Sequence, residues 1–524
     1  MRLDVDGGQR ELPPRPAARA SVALGSQGAG ACPVTARLSK SKVLAGQQCS
    51  RRLWFTCFAS ELAAPPDAGQ DAIFETGAKI GRKAHDLFPG GVLVDEQDFG
   101  RALTRTRALV ADPTVPAIFE AAFEHDRVRI RVDVLERLAD GEWGLREVKS
   151  SGGVKDVHLD DVAVQQYVLE GVGLKAPSLE LIHVYTRYVR GAGPIDWRLF
   201  FRRANVAAAV GARPVQVPAL VAGLHQTLTL AEAPIVEPSP HCWTPYGCEF
   251  WGHCTRDKPE DWILHLPRVQ AARMEALRAA GVERITEIPD DFGLGAIPAR
   301  IRAVLQSGRE FVSPQLGSAL EWFGPPAFYL DFETMNPAIP LYPGTRPYER
   351  IPFQWSLHRV DRDGGVTHRE LLADGRSDPR RVVAEGLVTA LGGNTDPIVV
   401  YSSFESSVLN DLAAAFPDLA PEIQAIRGRL RDLLRVVQAH VYHPDFRCSF
   451  SLKSVAPALV PGFGYDDLEA IADGGQASAA FARIAAGTCP PDEDAQVRAQ
   501  LLAYCERDTL ALVKLHQVLR RLCG

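Results

Sequence analysis

The sequence predicts an α/β protein with more than one domain. Hydrophobic residues make up 46% of the chain and charged residues 23%, which are ordinary values for a globular protein. At ~150 residues per domain, the 524 residues correspond to two or three domains. Strand-like and helical patterns alternate between residues 117 and 185, and a second block with the same alternation begins at Phe328. We therefore expect two α/β units.

Composition excludes several classes of protein. The formal net charge of −6 excludes a uniformly basic nucleic-acid binder but not a nuclease, whose metal-binding carboxylates add negative charge. No run of ~18 apolar residues occurs, so we expect no membrane partner. Ten cysteines are too few for a disulfide framework, which indicates a reducing, cytoplasmic location. Residues 1–36 are rich in Gly, Ala, Pro and Arg without periodicity and are predicted to be a disordered tail.

The first block is predicted from helix-capping and hydrophobic patterns. Ser39 or Ser41 is expected to cap a helix that continues to Phe55, and a second helix is expected at 75–87. The next elements are predicted to be three strands, a helix and a further strand, at 117–123, 128–135, 145–149, 161–169 and 179–185.

The second block follows a cysteine-containing loop and a helical stretch at 267–306, which Gly281 and Pro289 interrupt. Its main elements are predicted to be two strands and two helices, at 328–331, 398–401, from Phe404, and at about 495–522.

Asp133, Glu147 and Lys149 form the first set of candidate catalytic residues. Asp133 ends one predicted strand, and the other two lie on the next strand, beyond a glycine-containing turn. Residues i and i+2 of a strand share a face, so Glu147 and Lys149 project together and Asp133 can face them. Two carboxylates can hold a hard divalent cation, and a lysine can stabilise charge on a phosphate, as metal-assisted phosphodiester hydrolysis requires. The alternative is a surface ion-pair cluster on neighbouring strands.

Two further segments extend this pattern. His85 follows two glycines at spacings of four, which places all three on one helical face, and Gln165 and Tyr167 lie on the helix after the Glu-x-Lys strand. A helical His, an Asp, a (D/E)xK strand and a Gln/Tyr helix therefore occur in order across residues 75–170. This order resembles the RecB-like branch of the PD-(D/E)xK nucleases.

The resemblance implies a restriction-endonuclease-like core with a single metal-dependent site. In such a site Asp133 and Glu147 would ligate Mg²⁺ or Mn²⁺, and Lys149 would assist the attacking water. His85 and Gln165 would shape the site. The family's glycine before the aspartate is absent here.

Three cysteines, Cys242, Cys248 and Cys254, lie close together with five residues in each gap. Cys49 is the candidate for a fourth member of this group, and Cys57 is its rival. In a reducing compartment clustered cysteines indicate a metal, because four thiolates can hold an iron–sulfur cluster or a tetrahedral zinc ion.

One cysteine before the catalytic core and three after it resemble the iron–sulfur RecB-like nucleases, which include the CRISPR-adaptation nuclease. The resemblance implies a cluster of the 4Fe-4S type that staples the two ends of the domain together. The family often has a two-residue gap between two of the late cysteines, which this chain lacks. Zinc remains the alternative, with His241 or His253 replacing a cysteine.

Five residues form the second set of candidates. Asp331 and Glu333 end an apolar strand on one face, where paired acids are costly unless they bind a cation. Tyr504 and Asp508 lie at i and i+4 on one helical face, and Glu405 begins a helix after another strand.

In this order the motifs resemble the DEDD exonucleases of the DnaQ-like, ribonuclease-H-like fold, in the subtype whose last motif is Tyr-x-x-x-Asp. The resemblance implies that Asp331, Glu333 and Asp508 hold two metal ions. It also implies that Tyr504 positions the nucleophile for hydrolysis at a 3′ end.

Two positions leave alternatives open. Glu405 stands where that family usually has Asp, and Asp432 is a candidate substitute. Lys453 lies between the second and third motifs, where it would either contact phosphate or remain a solvated lysine.

The whole order, over residues 38–522, resembles a bacterial family of fusion proteins that pair these two modules. The expected domains are a disordered tail, a RecB-like nuclease domain with the cysteine cluster, a helical connector and a ribonuclease-H-like exonuclease domain, at 1–36, 37–258, 259–322 and 323–524. The resemblance implies a metal-dependent nuclease that hydrolyses DNA in repair, processing or defence. The alternatives are a catalytically impaired nucleic-acid-binding scaffold and a ribonuclease of the same chemistry.

Overall fold

The computed structural model describes residues 37–212, 216–468 and 471–523, so the predicted disordered tail lies outside the described residues. The fold is mixed α/β, as the sequence predicts. One compact unit holds the described residues up to Asp257 together with Pro337–Glu349, and the other holds Lys258–Asn336 and the residues from Arg350 onward. Among the described residues, no helix has both the length and the apolar character needed to cross a bilayer.

The first unit contains a seven-stranded mixed sheet. Its strands are β1 (Leu38–Ser39), β2 (Val92–Leu93), β3 (Ala117–His125), β4 (Val128–Arg137), β5 (Trp143–Lys149), β6 (Ser178–Val184) and β7 (Phe201–Asn205). The order is β2-β3-β4-β5-β6-β7, and β1 pairs in parallel with β4. β3, β4 and β5 form an antiparallel meander, whereas β5 and β6 are parallel and are connected by a helix, as parallel pairs require.

Nine helices accompany this sheet in the described part of the unit. They are α1 (Lys40–Gln48), α2 (Ser50–Phe58), α3 (Ala68–Ala84), α4 (Phe99–Ala111), α5 (Asp156–Gly171), α6 (Trp197–Phe200), α7 (Ala207–Gly211), α8 (Val217–Thr227) and α9 (Trp251–Thr255). The single helix expected up to Phe55 is two helices, because the backbone of Cys49 is extended between α1 and α2. α3 ends at Ala84, so His85 begins a short 3₁₀ turn.

The second unit is built on a five-stranded sheet and a separate two-stranded one. Its strands are β8 (Phe311–Val312), β9 (Ala327–Met335), β10 (Ile351–Val360), β11 (Val366–Leu372), β12 (Ile398–Val400), β13 (Leu430–Asp432) and β14 (Val441–Tyr442). The larger sheet has the order β11-β10-β9-β12-β13, with antiparallel pairing from β11 to β9 and parallel pairing from β9 to β13. β14 pairs with β8.

The helices of the second unit cover both faces of the larger sheet. They are α10 (Ala271–Ala279), α11 (Ala296–Ser307), α12 (Leu316–Ala319), α13 (Pro379–Leu391), α14 (Phe404–Ala415), α15 (Ala420–Gly428), α16 (Leu433–His440), α17 (Leu452–Leu459), α18 (Gly474–Ala485) and α19 (Pro491–Arg521). Phe328, Leu330 and Phe332 of β9 pack in one core with residues of α13, α14 and α15. Successive side chains of a strand point to opposite faces, so the odd-numbered residues of β9 face α19. The bond between the Tyr329 hydroxyl and His516 Nδ1 (2.8 Å) shows this directly.

Candidate functional site

Asp331 and Glu333 lie on the face of β9 that α19 covers. They are two residues apart on one strand, and Glu333 is buried. One oxygen of each carboxylate and the sulfur of Cys505 on α19 lie within 4.8 Å of one another. The sulfur is 3.6 Å from Asp331 Oδ2. The strand alternation and α19 together therefore bring these acids into one buried cluster.

Glu405 joins this cluster from α14. β12 runs parallel to β9, so the start of α14, which follows β12, lies near the Asp331 end of β9. Glu405 is 3% exposed, and its Oε2 atom is buried without a hydrogen-bond partner among the described residues. Burial, followed by the charge of Asp331, raises the pKa of Glu405 well above its ordinary value.

The third motif lies on α19, which is 31 residues long. Tyr504 and Asp508 are on the helix face that meets β9, and the Oδ1 atom of Asp508 is also buried without a partner in the described part of the chain. Lys453 of α17 donates a hydrogen bond from Nζ to the Tyr504 hydroxyl at 2.9 Å. Lys453 was predicted either to contact phosphate or to be solvated. In the structure its side chain is hydrogen-bonded to Tyr504 instead.

Burial, followed by like charges, raises the pKa values of the carboxyls in this cluster. Burial and the neighbouring Asp508 raise the pKa of Asp331 to about 8. Burial, Asp331 and Asp508 also raise the pKa of Glu333 well above its ordinary value. Carboxyls in this condition either keep their protons or require a cation.

Asp432, the candidate substitute for Glu405, has a different role. It caps α16 by accepting the Arg435 amide hydrogen and forms an ion pair with the Arg435 side chain at 3.2 Å. Its charge contributes to the raised pKa of Glu405, so it lies near the cluster. The burial and unpaired oxygen of Glu405 make Glu405 the better candidate ligand.

In the first unit, Asp133 and Glu147 lie next to each other on β4 and β5. Val134 of β4 pairs with Arg146 of β5, so the adjacent positions in the register are Asp133 and Glu147. Asp133 Oδ2 accepts the amide hydrogen of Val148 at 2.7 Å. Burial and the charge of Glu147 raise the pKa of Asp133 to about 7.

Lys149 and Gln165 complete a closed network with Glu147. The Lys149 ammonium is 2.6 Å from Glu147 Oε1 and 2.6 Å from Asp161 Oδ2. Gln165 donates to Glu147 Oε2 at 2.7 Å and to Asp161 Oδ1 at 3.2 Å. Asp161 also belongs to this network, although it was not among the residues predicted from the sequence. It lies one helical turn before Gln165 on α5, and that spacing was the available signal.

Lys40 is a second residue of this site that was not predicted from the sequence. Its Nζ atom donates to both oxygens of Glu147, at 2.9 and 3.1 Å, and lies 3.6 Å from Asp161 Oδ1. β1 pairs with β4 and therefore brings the first residue of α1 to the site. Although burial alone would raise the pKa of Glu147, Lys40 and Lys149 hold it well below its usual range.

Glu120 of β3 is a third missed residue. The pairing between β3 and β4 skips Glu120, whose φ of 55° lies in the left-handed region that non-glycine residues rarely adopt. Burial raises the pKa of Glu120, the charge of Lys40 lowers this pKa and the charge of Glu147 raises it. These interactions show that Glu120 lies near the first cluster. Nothing in the local sequence marks this residue.

His85 and Tyr167 make contacts of their own. The His85 ring stacks on Phe119, with ring centroids 3.9 Å apart, and burial lowers the pKa of His85. The Tyr167 hydroxyl donates to Asp126 at 2.6 Å. Of the residues predicted for this site, the hydrogen-bonded network joins Glu147, Lys149 and Gln165, with Asp133 beside them.

Cys49, Cys242, Cys248 and Cys254 line one cavity. Cys49 comes from the break between α1 and α2, and the other three come from the loop around α9. The rival, Cys57, packs against the main core of the unit instead. The sequence-predicted set of four therefore meets in three dimensions.

Further contacts join the two segments that supply these cysteines. Gln48 donates to the backbone oxygens of His241 and Tyr246, each at 2.8 Å, and Arg52 forms an ion pair with Glu249 at 2.7 Å. Burial raises the pKa of Cys248 to about 12, so this thiol stays protonated without a metal.

Residues 328–451 are similar to a family described as a domain of unknown function (DUF2779). The matched segment contains Asp331, Glu333 and Glu405 and ends before Tyr504 and Asp508. No curated protein matches the chain.

Proposed function

We propose that the protein is a metal-dependent nuclease whose second unit holds two divalent cations with Asp331, Glu333, Glu405 and Asp508. One observation carries the proposal: four acids share a buried site in which Glu405 and Asp508 each keep an oxygen without a partner among the described residues. Burial and the charge of Asp508 also raise the pKa of Asp331 to about 8. Hard cations with oxygen ligands supply both the charge and the missing contacts, so the donor set fits Mg²⁺ or Mn²⁺.

The chain's own groups have defined tasks in this proposal. Bound Mg²⁺ or Mn²⁺ supplies Lewis acidity toward water and toward the phosphate oxygens. Tyr504 keeps its proton, because burial and the charge of Asp508 raise its pKa far above the ordinary value. It therefore orients the attacking water by hydrogen bonding and does not act as a base. Lys453, 2.9 Å from its hydroxyl oxygen, fixes the ring and adds positive charge beside the substrate phosphate.

For the first unit we propose a RecB-like, restriction-endonuclease-like core in which Asp133 and Glu147 hold a single cation. Lys149 would stabilise charge on the phosphate, and Gln165 would fix the Glu147 carboxylate. A cation that binds both carboxylates has to displace the Lys40 ammonium, which already contacts both Glu147 oxygens.

We propose an iron–sulfur cluster for the four-cysteine cavity. A zinc ion bound at ~2.3 Å by four thiolates would bring their sulfurs to ~3.8 Å from one another. Among the described residues, no three of these cysteine sulfurs lie within 4.8 Å of one another. They are therefore farther apart than a zinc ion would hold them. The wider spacing and the adjacent Arg51 and Arg52 suit a larger, negatively charged thiolate cluster better.

The test is digestion of end-labelled single- and double-stranded DNA and RNA with Mg²⁺, with Mn²⁺ and with EDTA. Asp331→Asn should abolish release of nucleotides from 3′ ends, whereas Asp492→Asn, an exposed position on α19, should leave it unchanged. Lys149→Ala should abolish the remaining cleavage, and Lys175→Ala, also exposed, should not. Equal activity in all five proteins would refute both assignments.

A second candidate function for the first unit is nucleic-acid binding without cleavage. Lys40 favours it, because the ammonium occupies the place between the carboxylates where a cation would bind. This alternative would be supported if the Asp331→Asn protein had no nuclease activity left but still bound DNA. A separate activity that depends on Lys149 would exclude it.

A further inference from the structure

Two histidines and a glutamate of the second unit lie together outside the acidic cluster. His358 of β10 and His368 of β11 are directly paired across the strands, and their ring centroids are 4.4 Å apart. Glu506 of α19 lies over them, with its Oε1 atom 3.7 Å from His368 Nδ1. One nitrogen of each ring and one oxygen of Glu506 lie within 4.8 Å of one another.

Two hydroxyl groups hold the rings in place. Thr509 Oγ1 is 2.8 Å from His358 Nδ1, Ser356 Oγ is 2.8 Å from His368 Nε2, and the two hydroxyl oxygens are 2.7 Å apart. The Thr509 hydroxyl also donates to the backbone oxygen of Glu506 at 3.0 Å.

This network fixes the position of each proton. Because the Thr509 proton goes to the helix carbonyl, Thr509 Oγ1 accepts from Ser356 and from His358 Nδ1. The Ser356 oxygen then accepts from His368 Nε2. In these tautomers the lone pairs are on His358 Nε2 and on His368 Nδ1, and the latter is the nitrogen that faces Glu506.

We propose that His358, His368 and Glu506 form a binding site for a transition-metal dication of the Zn²⁺ class. Two neutral imidazoles and one carboxylate are a zinc donor set. The Thr509 and Ser356 oxygens accept from the remaining ring nitrogens and so fix the orientation of each ring, as the outer-shell acceptors of metal-bound histidines do. The carboxylate-only cluster around Asp331 suits Mg²⁺ or Mn²⁺ instead, so the two sites differ in donor chemistry.

The site has a structural consequence for α19. The ligands come from two strands and from a helix position between Tyr504 and Asp508, and the Glu506 side chain is 48% exposed, so the third ligand is open to solvent. A cation there ties the helix to β10 and β11. Its binding does not depend on nuclease activity, and a failed nuclease assay would leave it unaffected.

The experiment is a Zn²⁺ titration of the chelator-treated full chain against a competing chromophoric chelator, with excess Mg²⁺ to occupy the oxygen-only sites. Wild type is compared with His368→Asn and Glu506→Gln. The matched control is His443→Asn, since His443 caps a short turn and Asn preserves a cap. Far-ultraviolet circular dichroism checks the fold, and the exposed position of Glu506 provides a variant that leaves the core intact.

Wild type and His443→Asn should each bind one more equivalent of Zn²⁺ than the two ligand variants. The affinity of that equivalent should fall by more than ~100-fold, since loss of a partner of a ligand already costs 10–100-fold. The same number of equivalents with the same affinity in all four proteins would overturn the proposal.

Discussion

Lys40→Met tests whether the first cluster is balanced by its own lysines. The Lys40 ammonium lies 2.9 and 3.1 Å from the oxygens of Glu147 and 3.6 Å from Asp161. A dication held by the same carboxylates would occupy this position, since Mg²⁺ binds oxygens at ~2.1 Å. Methionine keeps most of the length and the apolar stem while it removes the charge. We therefore expect tighter Mg²⁺ binding and a less stable metal-free unit.

The size of both effects follows from the distances. A unit charge ~4 Å from another is worth ~1 kcal/mol in water and ~4 kcal/mol at an effective permittivity of 20. The repulsion between the Lys40 ammonium and a dication is at least twice the value in water, or ~2 kcal/mol. At 1.4 kcal/mol per tenfold, removal of this repulsion should raise the Mg²⁺ affinity by about 30-fold or more. Removal of one partner of a buried ion pair costs ~3–5 kcal/mol, which lowers the melting temperature of a unit of this size by about 6 °C or more.

Calorimetric titration with Mg²⁺ and thermal unfolding measure the two effects. The titration is made in an Asp331→Asn background, so that the second cluster contributes less heat. Lys42→Met, on the same helix, is the control and should change neither quantity. Unchanged Mg²⁺ affinity and an unchanged melting temperature for Lys40→Met would refute the view that Lys40 neutralises this site.

Three further outcomes are expected. The metal-free chain should lose stability as the pH rises from about 6.5 to 8, because folded Asp331, with its pKa of about 8, keeps a proton that the unfolded chain has released. Below this range buried histidines such as His358, whose pKa is lowered to about 4, oppose the effect. Excess Mg²⁺ should flatten the slope above about pH 6.5 in thermal unfolding. Tyr504→Phe should lower kcat by about 10²-fold while Mg²⁺ affinity stays constant, and a change in affinity alone would contradict a positioning role. Glu120→Gly should raise the melting temperature by relieving ~1–2 kcal/mol of left-handed backbone strain, and a decrease would show that the carboxylate stabilises the site more than the strain costs.

The sequence predicted which residues of the second cluster lie together because the signals for their placement are local. The apolar run before Asp331 predicted a buried strand, the spacing of two placed Glu333 on the same face, and the spacing of four joined Tyr504 to Asp508. Each of these spacings lies within a single strand or helix and can therefore be read from the local sequence. The packing of α19 on β9 then brings the two pairs of residues together.

The missed residues of the first cluster depend on pairings that local patterns do not encode. Lys40 reaches Glu147 because the two-residue strand β1 pairs with β4, a contact across 107 positions of sequence. The position of Glu120 near the cluster depends on an irregular register between β3 and β4. The helix break at Cys49, where one residue with extended backbone interrupts a good helical pattern, was likewise not predictable from local sequence, although it is the feature that turns Cys49 toward the other cysteines.

The two acidic clusters differ in how closely lysines approach their carboxylates. In the first, Lys40 and Lys149 both contact Glu147, whose pKa falls. In the second, Lys453 reaches the Tyr504 hydroxyl, and the pKa of Asp331 rises to about 8. At neutral pH the second cluster must therefore hold protons or cations, whereas in the first Lys40 and Lys149 compensate the charge of Glu147, and Asp133 keeps a pKa raised to about 7 by burial and Glu147. The second should consequently bind divalent cations more tightly, and cleavage from the first unit should require the higher concentration of metal.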